Sequence, residues 1–144
     1  MITINEVPLT TAVAVNKQIP EFGEKYQEIH FLRRLQDKEH LIIVAFIAEQ
    51  PSGYLIAYNR DADGSVYCWR AAVLPQFRRQ GVLRTMMAYL EEWAKSRSYT
   101  KIKIKTRNKR RAMLAYLVKY GFNFIRVNPH EPLEESRIYL EKMI

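Results

Sequence analysis

Two hydrophobic rhythms alternate along the chain, and their order sketches a fold. "ITINEV" (2–7) has period two and predicts a first strand. From Thr10 to about Asp37 the spacing is helical, broken near Pro20, with Ile29, Leu32 and Leu35 on one face. "HLIIVAFIAE" (40–49) is β-branched and aromatic, the mark of a buried strand. "PSG" predicts the turn of a hairpin whose second arm is "YLIAYNR" (54–60), and "DADG" (61–64) a further turn into the strand "SVYCWRAAV" (65–73). After Gly81, the residues Val82, Leu83, Met86, Met87, Leu90, Trp93 and Ala94 recur at helical spacing. "KIKIK" (101–105) predicts a strand with one apolar face and one lysine face. "NKRRAMLAYLVKYG" (108–121) predicts a helix with Asn108 as N-cap and Gly121 just past its end. "FNFIRV" (122–127) and "SRIYLEKM" (136–143) close the chain as strands. The order β-α-α-β-β-β-α-β-α-β-β implies a mixed sheet with helices on its faces.

Composition narrows the class. With 144 residues, 48% of them hydrophobic, the chain is expected to form one domain over 1–144. The longest apolar run, "LIIVAFIA" (41–48), is too short to span a bilayer as a helix, and "MITINEVPLT" lacks a signal-peptide pattern. Cys68 is the single cysteine, so no internal disulfide can form. The expectation is a soluble cytoplasmic protein with no membrane partner and no bound metal.

Charge alters the picture more. Residues 1–74 carry 7 Lys and Arg against 9 Asp and Glu, whereas residues 75–144 carry 16 against 6. The second half is therefore strongly basic and expects an anionic partner. "VLPQFRRQGVLRTMM" (73–87) shows where. A strand ends, three arginines (Arg78, Arg79, Arg84) surround Gly81, and a helix begins. A helix N-terminus presents free N–H groups and a positive dipole end, and a loop entering it can add more. Gly81 lets the backbone bend and approach closely, and arginines add forked donors. The stretch is built to hold a pyrophosphate, although GxxxxGK[ST] and GxGxxG are both absent.

The spacing V-L-P-x-x-R-x-x-G at 73–81 resembles the acetyl-CoA loop of the GNAT acetyltransferase superfamily. "KIKIK", Asn108 and a helix ending in "KYGF" (119–122) resemble that family's closing N…GF segment, so the likeness covers about residues 40–127 in order. The resemblance implies an α/β (α+β) fold with a mixed, mostly antiparallel sheet of about six to seven strands and about four helices. It implies acetyl-CoA as acetyl donor and a primary amine of a small molecule or peptide as acceptor, attacked directly in a ternary complex. Cofactor contacts then fall on Ala72, Val73 and Leu74 beside the pantetheine arm, on Arg78, Arg79, Gln80, Gly81, Val82, Leu83 and Arg84 at the pyrophosphate, and on Asn108.

Two departures bear on chemistry. Leu83 stands where the family loop has a second small residue, and its spacing with Met86, Met87 and Leu90 points it to the core. Leu117 stands where many members place a tyrosine that protonates the leaving thiolate, which leaves Tyr116 and Tyr120 as candidate catalytic acids. The strand before the loop carries no carboxylate, so a base must come from Glu49, Glu131, Glu134 or Glu135, from His30, His40 or His130, or from a water chain. Alternation places Tyr67 and Trp69 on one face and Arg70 on the other, with all three as candidate substrate contacts and Arg70 as a partner for an acidic substrate group. Cys68 in a buried strand is a poor nucleophile. Rival readings are a CoA-binding module without turnover and a nucleic-acid-binding protein using "KIKIKTRNKRR" (101–111), which lacks aromatic residues for base stacking. A homodimer is expected by fold analogy.

Overall fold

The computed structural model describes residues 1–22 and 27–144. Seven strands form one sheet: β1 (Ile2–Glu6), β2 (His40–Ile47), β3 (Gln50–Tyr58), β4 (Ser65–Val73), β5 (Lys101–Arg107), β6 (Asn123–Asn128) and β7 (Arg137–Met143). Their order across the sheet is β1-β2-β3-β4-β5-β7-β6. Helices α1 (Leu9–Asn16) and α2 (Glu28–Leu35) cover one face, and α3 (Val82–Ser96) and α4 (Arg111–Lys119) the other. Each face has its own core. Val13, Val15, Ile19 and Phe31 pack on Tyr54 and Ile56, while Met86, Leu90 and Leu117 pack on Leu55 and Ile102.

All neighbouring strands are antiparallel except β4 and β5, which run parallel. That pairing joins only Ser65–Cys68 to Lys101–Ile104. Beyond it β4 stays on β3 and β5 on β7, so the two strands part. The result is a wedge walled by residues 69–73 and 105–107. Backbone groups facing into it have no strand partner, and the half-buried state of residues 69–73 reflects this.

Several expectations change. The first hairpin turns at Ala48 and Glu49, both at positive φ (49° and 66°), and "PSG" lies inside β3. The helix after β5 starts at Arg111 with Arg110 as N-cap, so Asn108 is not the cap. Gly121 does end that helix: Phe122 N–H donates to Leu117 O at 2.9 Å and Gly121 N–H to Val118 O at 3.3 Å. Phe31 and Leu35 are the buried positions of α2, whereas Ile29 and Leu32 are exposed. Part of the helical pattern over 10–37 falls on residues 23–26, outside the described residues.

Candidate active site

The donor side grows from the end of β4. Leu74 N–H donates to Ser52 O at 2.8 Å, which holds the strand end against β3. A short 3-10 turn (Pro75–Phe77) follows, and the backbone then takes left-handed φ at Arg79 (65°) and at Gly81 (87°). The first bond of α3 is Thr85 N–H to Gly81 O. Among the described residues, the N–H groups of Arg79, Gln80, Gly81, Val82, Leu83 and Arg84 have no protein acceptor. Six donors at a helix N-terminus fit the phosphate chemistry of CoA. A Cβ on Gly81 would meet nothing closer than Ile2 Cδ1 at 3.9 Å, so its φ, and not crowding, calls for glycine.

The three arginines divide their work. Arg78 turns back to the strand end, with Nε on Val73 O at 3.0 Å and Nη2 on Glu21 Oε2 at 2.6 Å. Arg79 and Arg84 are exposed and form no ion pair among the described residues. Leu83 is half-buried against the α3 core, as its spacing requires, so it does not fill the turn. Asn108 follows β5; its Nδ2 donates to Leu133 O at 3.3 Å.

Of the tyrosines, Tyr116 and Tyr120 pack with ring centroids 4.5 Å apart and planes inclined by 34°, in a cavity of about 170 Å³ also lined by Arg84 and Glu91. Arg84 Cζ lies 5.5 Å from the Tyr120 ring. Burial, and then Tyr120, pushes the Tyr116 hydroxyl up to about 12. Leu117 is fully buried and belongs to the core. Cys68 sits where β4 and β5 part; burial pushes its thiol up to about 12, which disfavours the thiolate and makes it a poor nucleophile.

The acceptor side corrects the alternation. Ala57 pairs with Cys68 and Ile56 with Arg70, so Trp69 is an unpaired bulge residue. The bulge brings Arg70 onto the same face as Tyr67 and Trp69. There Arg70 Nε donates to Tyr54 Oη at 3.0 Å and Nη2 to Asn16 Oδ1 at 3.3 Å, while Tyr54 Oη donates to the same Asn16 oxygen at 2.5 Å. Trp69 packs on Phe31 (5.1 Å between rings), Tyr58 and His30. Tyr67 lies deeper, against Tyr58 and beneath Arg60.

Spacing did not single out Asn16, Phe22 or Tyr54. The available signal was one tyrosine in an otherwise apolar run and one asparagine closing an apolar helix. Glu49 is exposed in its turn, Glu131 and Glu134 are exposed, and Glu135 is held below the usual carboxylate range by its hydrogen bond to Lys109. His40 and His130 face backbone carbonyls of Lys38 and Asn128.

A parallel pair that parts beside a donor-rich turn on a helix N-terminus defines an α/β domain with an anion-binding geometry at that turn. The chain belongs to the acetyltransferase (GNAT) family, whose model matches residues 11–122. Membership makes it an acetyltransferase with acetyl-CoA as donor. Solved structures share the fold. The ribosomal-protein-S18-alanine N-acetyltransferase of Escherichia coli is 20% identical over 100% of this chain and 94% of its own, with a TM-score of 0.83. An IAA acetyltransferase of Bacillus cereus is 15% identical, covers 100% of both chains and has a TM-score of 0.82. The PaiA N-acetyltransferase of Thermoplasma acidophilum, solved with coenzyme A, is 16% identical over 100% of this chain and 99% of its own, with a TM-score of 0.77. No curated protein matches the chain in sequence. Among the described residues no helix is long and apolar enough to cross a membrane.

Proposed function

We propose that this chain is an N-acetyltransferase that moves the acetyl group of acetyl-CoA to a primary amine of a small molecule or peptide by direct attack in a ternary complex. The observation that carries it is the run of six unpartnered N–H groups, Arg79 to Arg84, beside a wedge that ends at the bulge of β4. Acetyl-CoA supplies a thioester whose carbonyl carbon accepts the amine. The donors of the turn hold its pyrophosphate, with Arg79 and Arg84 adding charge. Ala72, Val73 and Leu74 line the pantetheine arm; the N–H of Leu74 is spent on Ser52 and the register turns Ala72 the same way, onto Tyr54, so the N–H of Val73 faces the thioester. Asn108 keeps its side-chain oxygen to accept from the arm, since its nitrogen is engaged by Leu133.

Catalysis on this reading is positioning and carbonyl polarisation by fixed backbone groups. Water takes the ammonium proton, because none of the carboxylates named above stands at the bulge. A tyrosine at about 12 would donate uphill to a thiolate whose conjugate acid lies near about 8.5. Tyr116 therefore shapes the cavity while the thiolate leaves with water, and Tyr120, with Arg84 Cζ 5.5 Å from its ring, is the other tyrosine of that cavity. Tyr67 and Trp69 form the acceptor's apolar floor.

The nucleic-acid reading loses ground, because Lys101 and Lys103 are engaged by Glu141, Asp61 and Asp63. A cytoplasmic location is supported by the buried free thiol of Cys68. Pairing of two copies through β6 completes the proposal, supported by that strand's exposed residues.

Thermal melting with acetyl-CoA tests the donor site. Ligand at about 100 times its dissociation constant adds about 2.7 kcal/mol, a clear rise in Tm. The rise is expected in the native chain and absent from a folded Gly81→Trp. Stabilisation without thiol release, across an amine panel, would instead favour the CoA-binding module, for which buried Leu117 speaks. No stabilisation at all sinks both.

A further inference from the structure

We propose that Glu135 is a positioning residue of the donor site. It acts through Asn108, by clamping the turn between β5 and α4 onto the segment that precedes β7. The inference rests on the reading above in which Asn108 accepts from the pantetheine arm, and adds what holds that asparagine in place.

Neither the strand nor the helix fixes Asn108. β5 ends at Arg107 and α4 begins at Arg111, with no side-chain cap on its first turn. The sequence here is "RNKRR" (107–111), four cations in five residues. Like charges this close repel, and the repulsion acts to splay the turn. Order comes from across the sheet, where a short 3-10 turn (Leu133–Glu135) leads into β7. That segment accepts three bonds. Asn108 N–H donates to Ser136 O at 2.9 Å, Lys109 N–H to Glu134 O at 2.9 Å, and Asn108 Nδ2 to Leu133 O at 3.3 Å. The segment is itself tied down: Ser136 is 4% exposed, and its Oγ accepts from His130 N–H at 3.0 Å.

The Glu135 carboxylate closes the clamp. Its Oε1 accepts from Arg107 Nη1 and its Oε2 meets Lys109 Nζ, each at 2.7 Å. Arg107 and Lys109 are the two chain neighbours of Asn108, so one carboxylate draws together the cations on either side of it. A lone exposed ion pair contributes little, because it must order two long side chains. Here backbone bonds have already joined the two segments, and each carboxylate oxygen has its own cation. What the clamp fixes is direction. With the amide nitrogen of Asn108 held on Leu133 O, its Oδ1 is the atom left to accept from a ligand. Glu135 touches neither donor nor acceptor on this account; it keeps that oxygen aimed.

The test is calorimetric binding to the full chain of two ligands: acetyl-CoA, and the phosphorylated ADP that remains when the pantetheine arm is removed from CoA. Asn108→Ala is expected to weaken acetyl-CoA by about tenfold and to leave the armless nucleotide within about twofold. Glu135→Gln should show the same split, with a loss of about fivefold on acetyl-CoA alone. Glu135→Asp, which keeps the carboxylate, should recover most of that loss. The double variant Glu135→Gln with Asn108→Ala should bind acetyl-CoA no more weakly than Asn108→Ala does, because both changes remove one contact. Three results overturn the inference and leave the role of Asn108 standing: native affinity for acetyl-CoA in Glu135→Gln, an equal loss on both ligands in that variant, which would mark general damage to the fold, or additive losses in the double variant. Unchanged binding of acetyl-CoA by Asn108→Ala overturns the reading beneath it, and so does a native chain that binds acetyl-CoA but not its nucleotide part.

Discussion

Gly53, inside β3, sets how closely three elements approach at the donor site. A Cβ there would meet Ala72 O at 2.8 Å, Val82 Cγ1 at 3.1 Å and Met86 Cε at 3.2 Å. The first of these is backbone, and it belongs to the strand that walls the wedge. Gly53→Ala must therefore move β4 or the first turn of α3. Overpacking of this kind costs about 1–3 kcal/mol. A lowered Tm is expected together with a raised KM for acetyl-CoA; a lowered Tm with unchanged KM would mean the wall does not shape the donor site. Nothing local in the sequence announces this role. "PSG" is a common turn composition, and the real turn is made by Ala48 and Glu49, which are neither glycine nor asparagine. Gly81 was legible, because arginines before it and a helical period after it mark a backbone site where a helix starts.

At the scale of elements, strand and helix order is readable because each core face writes its own period into the chain. Every strand and helix expected from periodicity is present in the expected order. What periodicity cannot carry is information supplied by a neighbour. The bulge at Trp69 exists because β3 offers one fewer residue than β4 there, and it moved Arg70 to the face opposite the expected one. The start of α4 shifted past Asn108 because that residue is held by the segment before β7, through Ser136 O and Leu133 O. The edge strand β6 raises a different matter. Phe124, Ile125 and Val127 are each more than half exposed, and the outer edge is unpaired, guarded by Arg126 and one irregularity in register. Natural edges this apolar need cover. Sedimentation is expected to show a mass that rises with concentration. Val127→Lys should return the monomer without lowering Tm; a native chain that stays monomeric at high concentration would sink the pairing.

Across the whole molecule, the net charge of +8 is unevenly spent. Around the parallel pair the cations are structural. Lys103 contacts Asp61 at 3.2 Å and Asp63 at 2.8 Å, in the turn that leads into β4. The hydrogen bond from Lys103, and then those from Ser65, hold the Asp63 carboxyl far below its usual value; Arg60 first, and then Lys103, lower that of Asp61. At the other end, Arg79 and Arg84 form no ion pair among the described residues. Acid separates the two groups. Carboxyls with depressed folded pKa values contribute stability that is complete above their unfolded value of about 3.9 and lost as pH falls through the folded values. Acid unfolding is therefore expected below about pH 4. Lys103→Gln removes the main partner of Asp63 and brings its folded pKa back toward the unfolded one. The variant should lose less than about 1 kcal/mol at neutral pH, since these groups are partly exposed. Its acid midpoint, followed by circular dichroism, should move to higher pH, because less of the carboxylate stabilisation has to be titrated away. Coincident acid midpoints for the variant and the native chain would show that this cluster does not tie the turn to β5. Binding of acetyl-CoA at neutral pH should be the same in both, since the arginines that face the donor lie at the open end of the wedge and Lys103 lies where it closes.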